Sequence, residues 1–239
     1  MQAAMASSER VFALFDESEQ LSHREPRLIL PPAGGKIEFR DVNFSYNNTD
    51  WVLKNISFII QPGEKVALVG VTGGGKSTIV NLLLRFYDAT EGRITVDGID
   101  IRDLHTTDLR SKFGLVLQDI FLFPGNVRDN ITLEQSRISA ETLESASQLV
   151  SADRFIERMP KKYETEISER GANLSRGERQ LLSFARAMVF DPQILLLDEA
   201  TSSVDPDTEK QIQLALDRLL AGRTSLIIAH RLSTILDAD

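Results

Sequence analysis

The apolar positions of this chain switch between two spacings, and each switch marks an element. Residues 5–18 carry Val11, Leu14 and Phe15 at helical spacing, with Arg10, Asp16 and Glu17 among them, which predicts a short amphipathic helix. A linker follows from Ser22 to Gly35, punctuated by Pro26, Pro31, Pro32, Gly34 and Gly35. Ile37 and Phe39 then alternate, and Val42 and Phe44 resume one step out of phase, so a strand with a bulge near Asp41 is predicted. Ile56, Phe58 and Ile60 alternate again, and Pro62-Gly63 suits the two central positions of a type II turn. Lys65–Val69 reads as a buried strand running straight into Gly70.

After Lys76 the spacing lengthens. Ile79, Val80, Leu83, Leu84 and Phe86 predict a helix with a wide apolar face. Ile94 and Val96, then Asp97-Gly98, then Ile99 and Ile101 predict a two-residue hairpin. Gly114–Leu117 reads as a short buried strand, and residues 126–190 are helical in pattern with no strand signal. Strands at 194–197 and 225–229 flank a helix at 207–220. Strands alternating with helices after residue 65 predict the α/β class, a parallel sheet with crossover helices. The earlier hairpin-like strands predict an antiparallel flank.

Composition narrows the function classes. A chain of 239 residues, 42% hydrophobic and 26% charged, is ordinary for a globular protein. No apolar run approaches the ~18–20 residues of a membrane span, so a soluble piece is expected. Met1-Gln2-Ala3-Ala4-Met5 lacks the basic and apolar regions of a secretion signal. The absence of cysteine excludes disulfides, thiolate zinc sites and thiol catalysis. A net charge of −8 exerts no general pull on nucleic acid or anionic lipid. Phosphate binding must then come from a local site.

Gly70-Val71-Thr72-Gly73-Gly74-Gly75-Lys76-Ser77-Thr78 supplies one, between a predicted strand and a predicted helix. Glycines let backbone N–H groups turn inward as an anion nest, and the following helix aims its positive end at the phosphates. Lys76 suits the β- and γ-phosphates, and the Ser77 hydroxyl suits Mg²⁺. Such a cradle serves ATPases, GTPases, kinases and recombinases alike; an Asn-Lys-x-Asp guanine reader is absent from the chain. At the end of 194–197, Asp198 and Glu199 place two carboxylates at the edge where α/β sheets bind ligands. Asp198 is expected to hold Mg²⁺ through water, and Glu199 to act as general base on the attacking water.

A second segment, Leu174-Ser175-Arg176-Gly177-Glu178, lies just ahead of this acidic strand. With it, the chain from about residue 37 to 239 resembles the nucleotide-binding domain of ABC transporters. Gly70–Ser77 is similar to Walker A, Ile194–Asp198 to Walker B, and Glu199 to the catalytic glutamate. Leu174–Glu178 resembles the LSGGQ signature, Gln118 the Q-loop glutamine, and Ser203-Val204-Asp205 the D-loop. His230 resembles the switch histidine and Tyr46 the aromatic that stacks on adenine. The resemblance implies a P-loop NTPase with a RecA-like parallel core, an antiparallel β flank and a helical subdomain. Its implied divisions are a helix and linker from a transmembrane domain over 1–35 and the cassette over 36–239. Within the cassette, 36–117 and 190–239 form flank and core, and 118–189 the Q-loop and helical subdomain.

For the site, the resemblance implies ATP contacts from Tyr46, Gly70, Thr72, Gly73, Gly74, Gly75, Lys76, Ser77 and Thr78. Magnesium falls to Ser77, Gln118 and Asp198, and catalysis to Glu199, His230 and Gln118. Leu174, Ser175, Arg176, Gly177, Glu178 and Asp205 are implied to contact ATP held by a second copy. The implied partners are therefore a second nucleotide-binding domain, in a homo- or heterodimer, and the coupling helices of a transmembrane domain. No nucleic acid is implied, and the implied location is the cytoplasmic face of the cell membrane.

Thr165–Gly171 resembles the X-loop of exporters, and Ala6–Phe12 the tail of a last transmembrane helix. Arg176 and Glu178 stand where the signature's name-motif has Gly and Gln, and Ser168 stands where the X-loop has glycine. The chain stops at Asp239, where family members continue, so an excised or incompletely supplied cassette is expected. Phe121, Leu122, Phe123 and Pro124 suit either a groove for a coupling helix or the core of the helical subdomain. His23 and His105 have no partners at a telling spacing and read as surface residues. Chromosome and repair ATPases insert long coiled coils between cradle and signature, and the stretch between Lys76 and Leu174 is too short for them. A translation-associated cassette pair is disfavoured by the single cassette and the acidic charge, and a non-catalytic module by Glu199 and His230.

Overall fold

The computed structural model describes residues 8–9, 11–13, 15, 28–31, 34–71, 73–198 and 206–228. Ser8, Glu9, Val11, Phe12, Ala13 and Phe15 are helical, in line with the amphipathic spacing. Of the predicted linker, residues 28–31 and 34–35 are described. There, Leu28 forms a bridge to Leu104, and Leu30 is buried in the core beside the flank.

Two sheets make the frame. β1 (Ile37–Ser45), β2 (Trp51–Ile60), β4 (Glu91–Val96) and β5 (Ile99–Asp100) form an antiparallel sheet in the order β2-β1-β4-β5. The predicted bulge is present: the register with β2 shifts between Phe39 and Val42, and Asp41 has φ 51°. The Pro62-Gly63 turn closes with the Glu64 N–H on the Gln61 carbonyl at 3.0 Å. The Asp97-Gly98 hairpin sets Val96 opposite Ile99.

The second sheet is parallel, in the order β3-β10-β9-β6, from β3 (Lys65–Leu68), β6 (Phe113–Val116), β9 (Ile194–Asp198) and β10 (Thr224–Ile228). Ile228 lies opposite Leu68 on one side and Asp198 on the other, and Val116 lies opposite Leu197. All four strands therefore end at one edge. Residues 194–197 and 224–228 are buried throughout, as a doubly covered sheet requires. β3 differs from expectation: it is half-buried, because it lies at the end of the described strand order.

The crossovers are helical. α1 (Lys76–Leu83) leaves β3, α2 (Thr106–Ser111) precedes β6, and α6 (Arg176–Met188) precedes β9. Between β6 and α6 lie α3 (Val127–Thr132), α4 (Ala140–Leu149) and α5 (Asp153–Ile156), and α7 (Pro206–Leu220) leads to β10. The helical pattern of 126–190 hides one exception. β7 (Gly125–Asn126) pairs with β8 (Glu166–Ile167), strands too short to leave a periodic signal. Phe86 also departs from the predicted apolar face: it lies beyond α1, exposed, with the Arg110 guanidinium 4.8 Å over its ring.

Candidate functional site

The common strand edge assembles one cavity of about 430 Å³, lined by Tyr46, Val52, Gly73, Gly75, Lys76, Ser77, Thr78, Gln118, Asp198 and Ile228. Four elements contribute because their carboxyl ends coincide: the loop after β3, the residue two beyond β6, the end of β9 and the end of β10. Thr72, Glu199, Asp205 and His230 lie outside the described residues.

Local chemistry shapes the phosphate loop. Gly75 takes φ 83° at the helix cap, and a Cβ there would come within 2.7 Å of Leu53 Cδ2, so any side chain at this position is both strained and crowded. No side chain caps α1 and no acidic residue occupies its first turn. Its leading N–H groups and positive dipole end are thus open to an anion. Lys76 Nζ donates to the carbonyls of Gly70 and Val71, both at 2.9 Å, which folds the ammonium back over the loop.

Tyr46 forms the far wall. Its hydroxyl meets Thr78 Oγ1 at 3.1 Å, and its ring packs edge-to-face on Phe44 and Tyr87. Thr78 is itself buried, and its side chain ties Tyr46 to α1. Ser77, Gln118 and Asp198 offer a hydroxyl, an amide and a carboxylate to the same space. These are oxygen ligands of the kind Mg²⁺ takes together with water and substrate phosphates. Among the described residues no cluster of three His, Cys, Asp or Glu forms a closed metal cage.

The signature segment contributes nothing to this cavity. Ser175 caps α6 instead: its Oγ accepts the Glu178 N–H at 3.2 Å, and Glu178 Oε2 accepts the Ser175 N–H at 2.8 Å. The Ser-x-x-Glu spacing is a capping-box pattern that the sequence already displayed. Ser175 and Arg176 are exposed. Gly177 is buried, and a Cβ there would lie 2.3 Å from Thr208 Cγ2 on α7. Two helices approach closely at that glycine, a demand no local pattern announces.

Other linking residues were equally invisible. Arg186 on α6 donates through Nη1 to the Phe121 carbonyl at 2.8 Å, through Nε to the Asn130 carbonyl at 2.8 Å, and through Nη2 to Asn130 Oδ1 at 3.1 Å. Burial lowers the pKa of its guanidinium. Asn130 also bonds both backbone groups of Phe123, each at 2.9 Å. The apolar cluster after Gln118 therefore divides: Leu122 is core, whereas Phe121 and Phe123 are exposed and in edge-to-face contact. Phe123, Pro124, Asn130 and Leu133 share a groove of about 490 Å³. Ser168 is extended (φ −71°, ψ 167°), a conformation open to any residue, so serine replaces the usual glycine without strain. Its N–H and Oγ both donate to Asn173 Oδ1, beside the signature.

A profile of the ABC transporter family matches residues 53–202. The chain belongs to this family. It is an ABC-type ATP-binding domain, an ATPase class, and its fold is the P-loop α/β fold with parallel core and antiparallel flank. A fatty acid ABC transporter ATP-binding/permease protein of Mycobacterium tuberculosis is 46% identical over 239 residues, covering 100% of this chain and 38% of that protein. An ATP-dependent lipid A-core flippase of Syntrophus aciditrophicus is also 46% identical, covering 100% and 40%. A solved bacterial Atm1-family ABC exporter with ATP bound matches with TM-score 0.87 and 38% identity, covering 100% of this chain and 42% of that one. The chain thus spans about two-fifths of the length of these exporter-type relatives. Among its described residues no helix is long and apolar enough to cross a membrane.

Proposed function

We propose that this cassette pairs with a second nucleotide-binding domain around ATP, hydrolyses it, and powers export through an attached transmembrane domain at the cytoplasmic face of a membrane. The observation that carries the proposal is the separation of the two phosphate-type segments. Lys76, Ser77, Gln118 and Asp198 meet at one cavity, while the signature segment stands elsewhere, with Ser175 and Arg176 exposed and Gly177 buried against α7. A site that needs both would be completed by a second cassette, of the same chain or of a related one.

In this mechanism the bare amino end of α1 and Lys76 hold the β- and γ-phosphates. Ser77 and Asp198 would hold Mg²⁺, with Gln118 beside it; bound there, the ion neutralises charge on the phosphate oxygens. Glu199 accepts a proton from water as the water oxygen attacks the γ-phosphorus, and the bond to the ADP oxygen breaks. His230 steadies the γ-phosphate, and the partner's signature helix faces it with a second positive end, with Asp205 near the junction. Loss of that phosphate removes the charge joining the two copies, an association switch driven by one group. Phe121 and Phe123, half-exposed beside the groove, suit a helix from the transmembrane part. Relatives named as ATP-binding/permease proteins and exporters support that partner.

Light scattering after size exclusion tests the pairing. Glu199→Gln with MgATP should run as a dimer, and as a monomer without nucleotide or with Lys76→Ala added. A monomer under all conditions, in the chain and in the full-length transporter alike, removes the shared-site mechanism.

A further inference from the structure

Tyr87 lies in the turn after α1, a turn held with unusual firmness. Arg85 is completely buried at φ 52°; its Nε donates to Asp88 Oδ1 at 2.8 Å, and its Nη1 to the carbonyls of Ile101 and Leu104, both at 3.3 Å. Arg110 donates to the carbonyls of Leu84 and Arg85, each at 3.0 Å, and covers Phe86. Burying a guanidinium costs solvation, recovered only when its donors are matched. Here they are matched by the Asp88 carboxylate and by two backbone carbonyls, which ties the turn to the 101–104 segment.

What the turn carries is Tyr87. Its ring lies 5.0 Å from that of Tyr46 at 86°, and 5.8 Å from Phe44. Phe44 meets Tyr46 at 4.8 Å and 84°. Tyr46, just beyond β1, is thereby held by Phe44 of that strand, by α1 through Thr78, and by the Arg85 turn through Tyr87. Only Tyr46 of the three rings lines the cavity.

We propose that Tyr87 is a positioning residue for nucleobase recognition, fixing the Tyr46 ring in the orientation that stacks on the base. A half-exposed tyrosine free to rotate would lose rotamer freedom on stacking; one already held loses little. The inference rests on the reading of Tyr46 as the base platform. Tyr87 never needs to touch the nucleotide.

Binding of MgATP and of magnesium tripolyphosphate, which has no base, separates this role from a structural one. Tyr87→Ala should weaken MgATP about 2- to 12-fold, the range of one aromatic pair, and leave tripolyphosphate unchanged. Tyr87→Phe should restore wild-type affinity. In a Tyr46→Ala background, Tyr87→Ala should add no further loss. Equal weakening of both ligands, no weakening of ATP, or a full additional loss in the Tyr46→Ala background overturns the proposal. If Tyr46→Ala alone leaves ATP affinity intact, the platform reading fails and this inference falls with it. If Tyr46→Ala weakens ATP and Tyr87→Ala does not, only the positioning role is wrong. Should Tyr87→Ala fold poorly, Tyr87→Leu keeps the apolar bulk without the ring, and the same ATP-specific loss is required.

Discussion

Two helices of this molecule present their amino ends in opposite states. α1 begins at a left-handed glycine with no side-chain cap and no carboxylate in its first turn, at the wall of a cavity. α6 begins with a closed capping box, Ser175 and Glu178 satisfying each other's N–H groups, at an exposed surface. An uncapped end leaves donors that an anion can satisfy. A self-capped end is stable in water with nothing bound. The first is therefore open to a ligand within its own domain, whereas under the proposed pairing the second would meet one that a partner domain brings. The carboxylate of Glu178 adds a second difference, because it opposes the dipole that would attract phosphate.

That contrast can be broken or sharpened in stages. The largest effect belongs to chemistry beyond the cradle: Glu199→Gln should bind MgATP while phosphate release falls about 10²- to 10⁴-fold, and wild-type turnover would remove Glu199 as base. Lys76→Ala should weaken MgATP about 10- to 100-fold in a fluorescence titration, the range for a hydrogen bond to a charged group. Its melting temperature should barely move, since Lys76 bonds only two carbonyls of its own loop. Unchanged affinity would mean that α1 is not the receiving end.

On the other helix, Gly177→Ala forces a methyl into Thr208 Cγ2. Denaturant unfolding should register about 1–3 kcal/mol of lost stability. Thr208→Ser, which deletes only the opposing methyl, should recover most of it; no recovery would place the clash elsewhere. The smallest effect is at Glu178→Gln, whose amide oxygen can still accept the Ser175 N–H. Removing the charge should favour phosphate at this end by about 0.3–1 kcal/mol, read as ATP-driven pairing at a lower nucleotide concentration. A need for more ATP would show that the carboxylate itself assists the pairing.

Elements carried by short-range patterns were readable in advance, and those made by distant contacts were not. The bulge at Asp41, the two tight turns and the strand–loop–helix around Lys76 each depend on neighbours within a few residues. Phe86 misled because helical spacing continues past Leu83, whereas the chain turns at Arg85 for the sake of carbonyls at Ile101 and Leu104. β7 and β8 escaped notice because two residues carry no period, although Asn173 and Arg128 lace that region together. At the cavity, the glycine loop, Gln118 and Asp198 were nameable from motif and order, while Val52 had no signal. The Ser175–Glu178 cap has one, the Ser-x-x-Glu spacing.

Sequence alone determined the family, the fold class and the candidate phosphate-binding residues, because backbone amides, glycine torsions and strand-end carboxylates act through local order along the chain. Tertiary structure decided which of those residues share a cavity, that the signature stands apart from it, that Gly177 is required by α7, and that Tyr87 supports Tyr46. Such facts depend on parallel strands ending at a common edge and on packing between segments far apart in the chain, where distance in space is unrelated to distance in sequence.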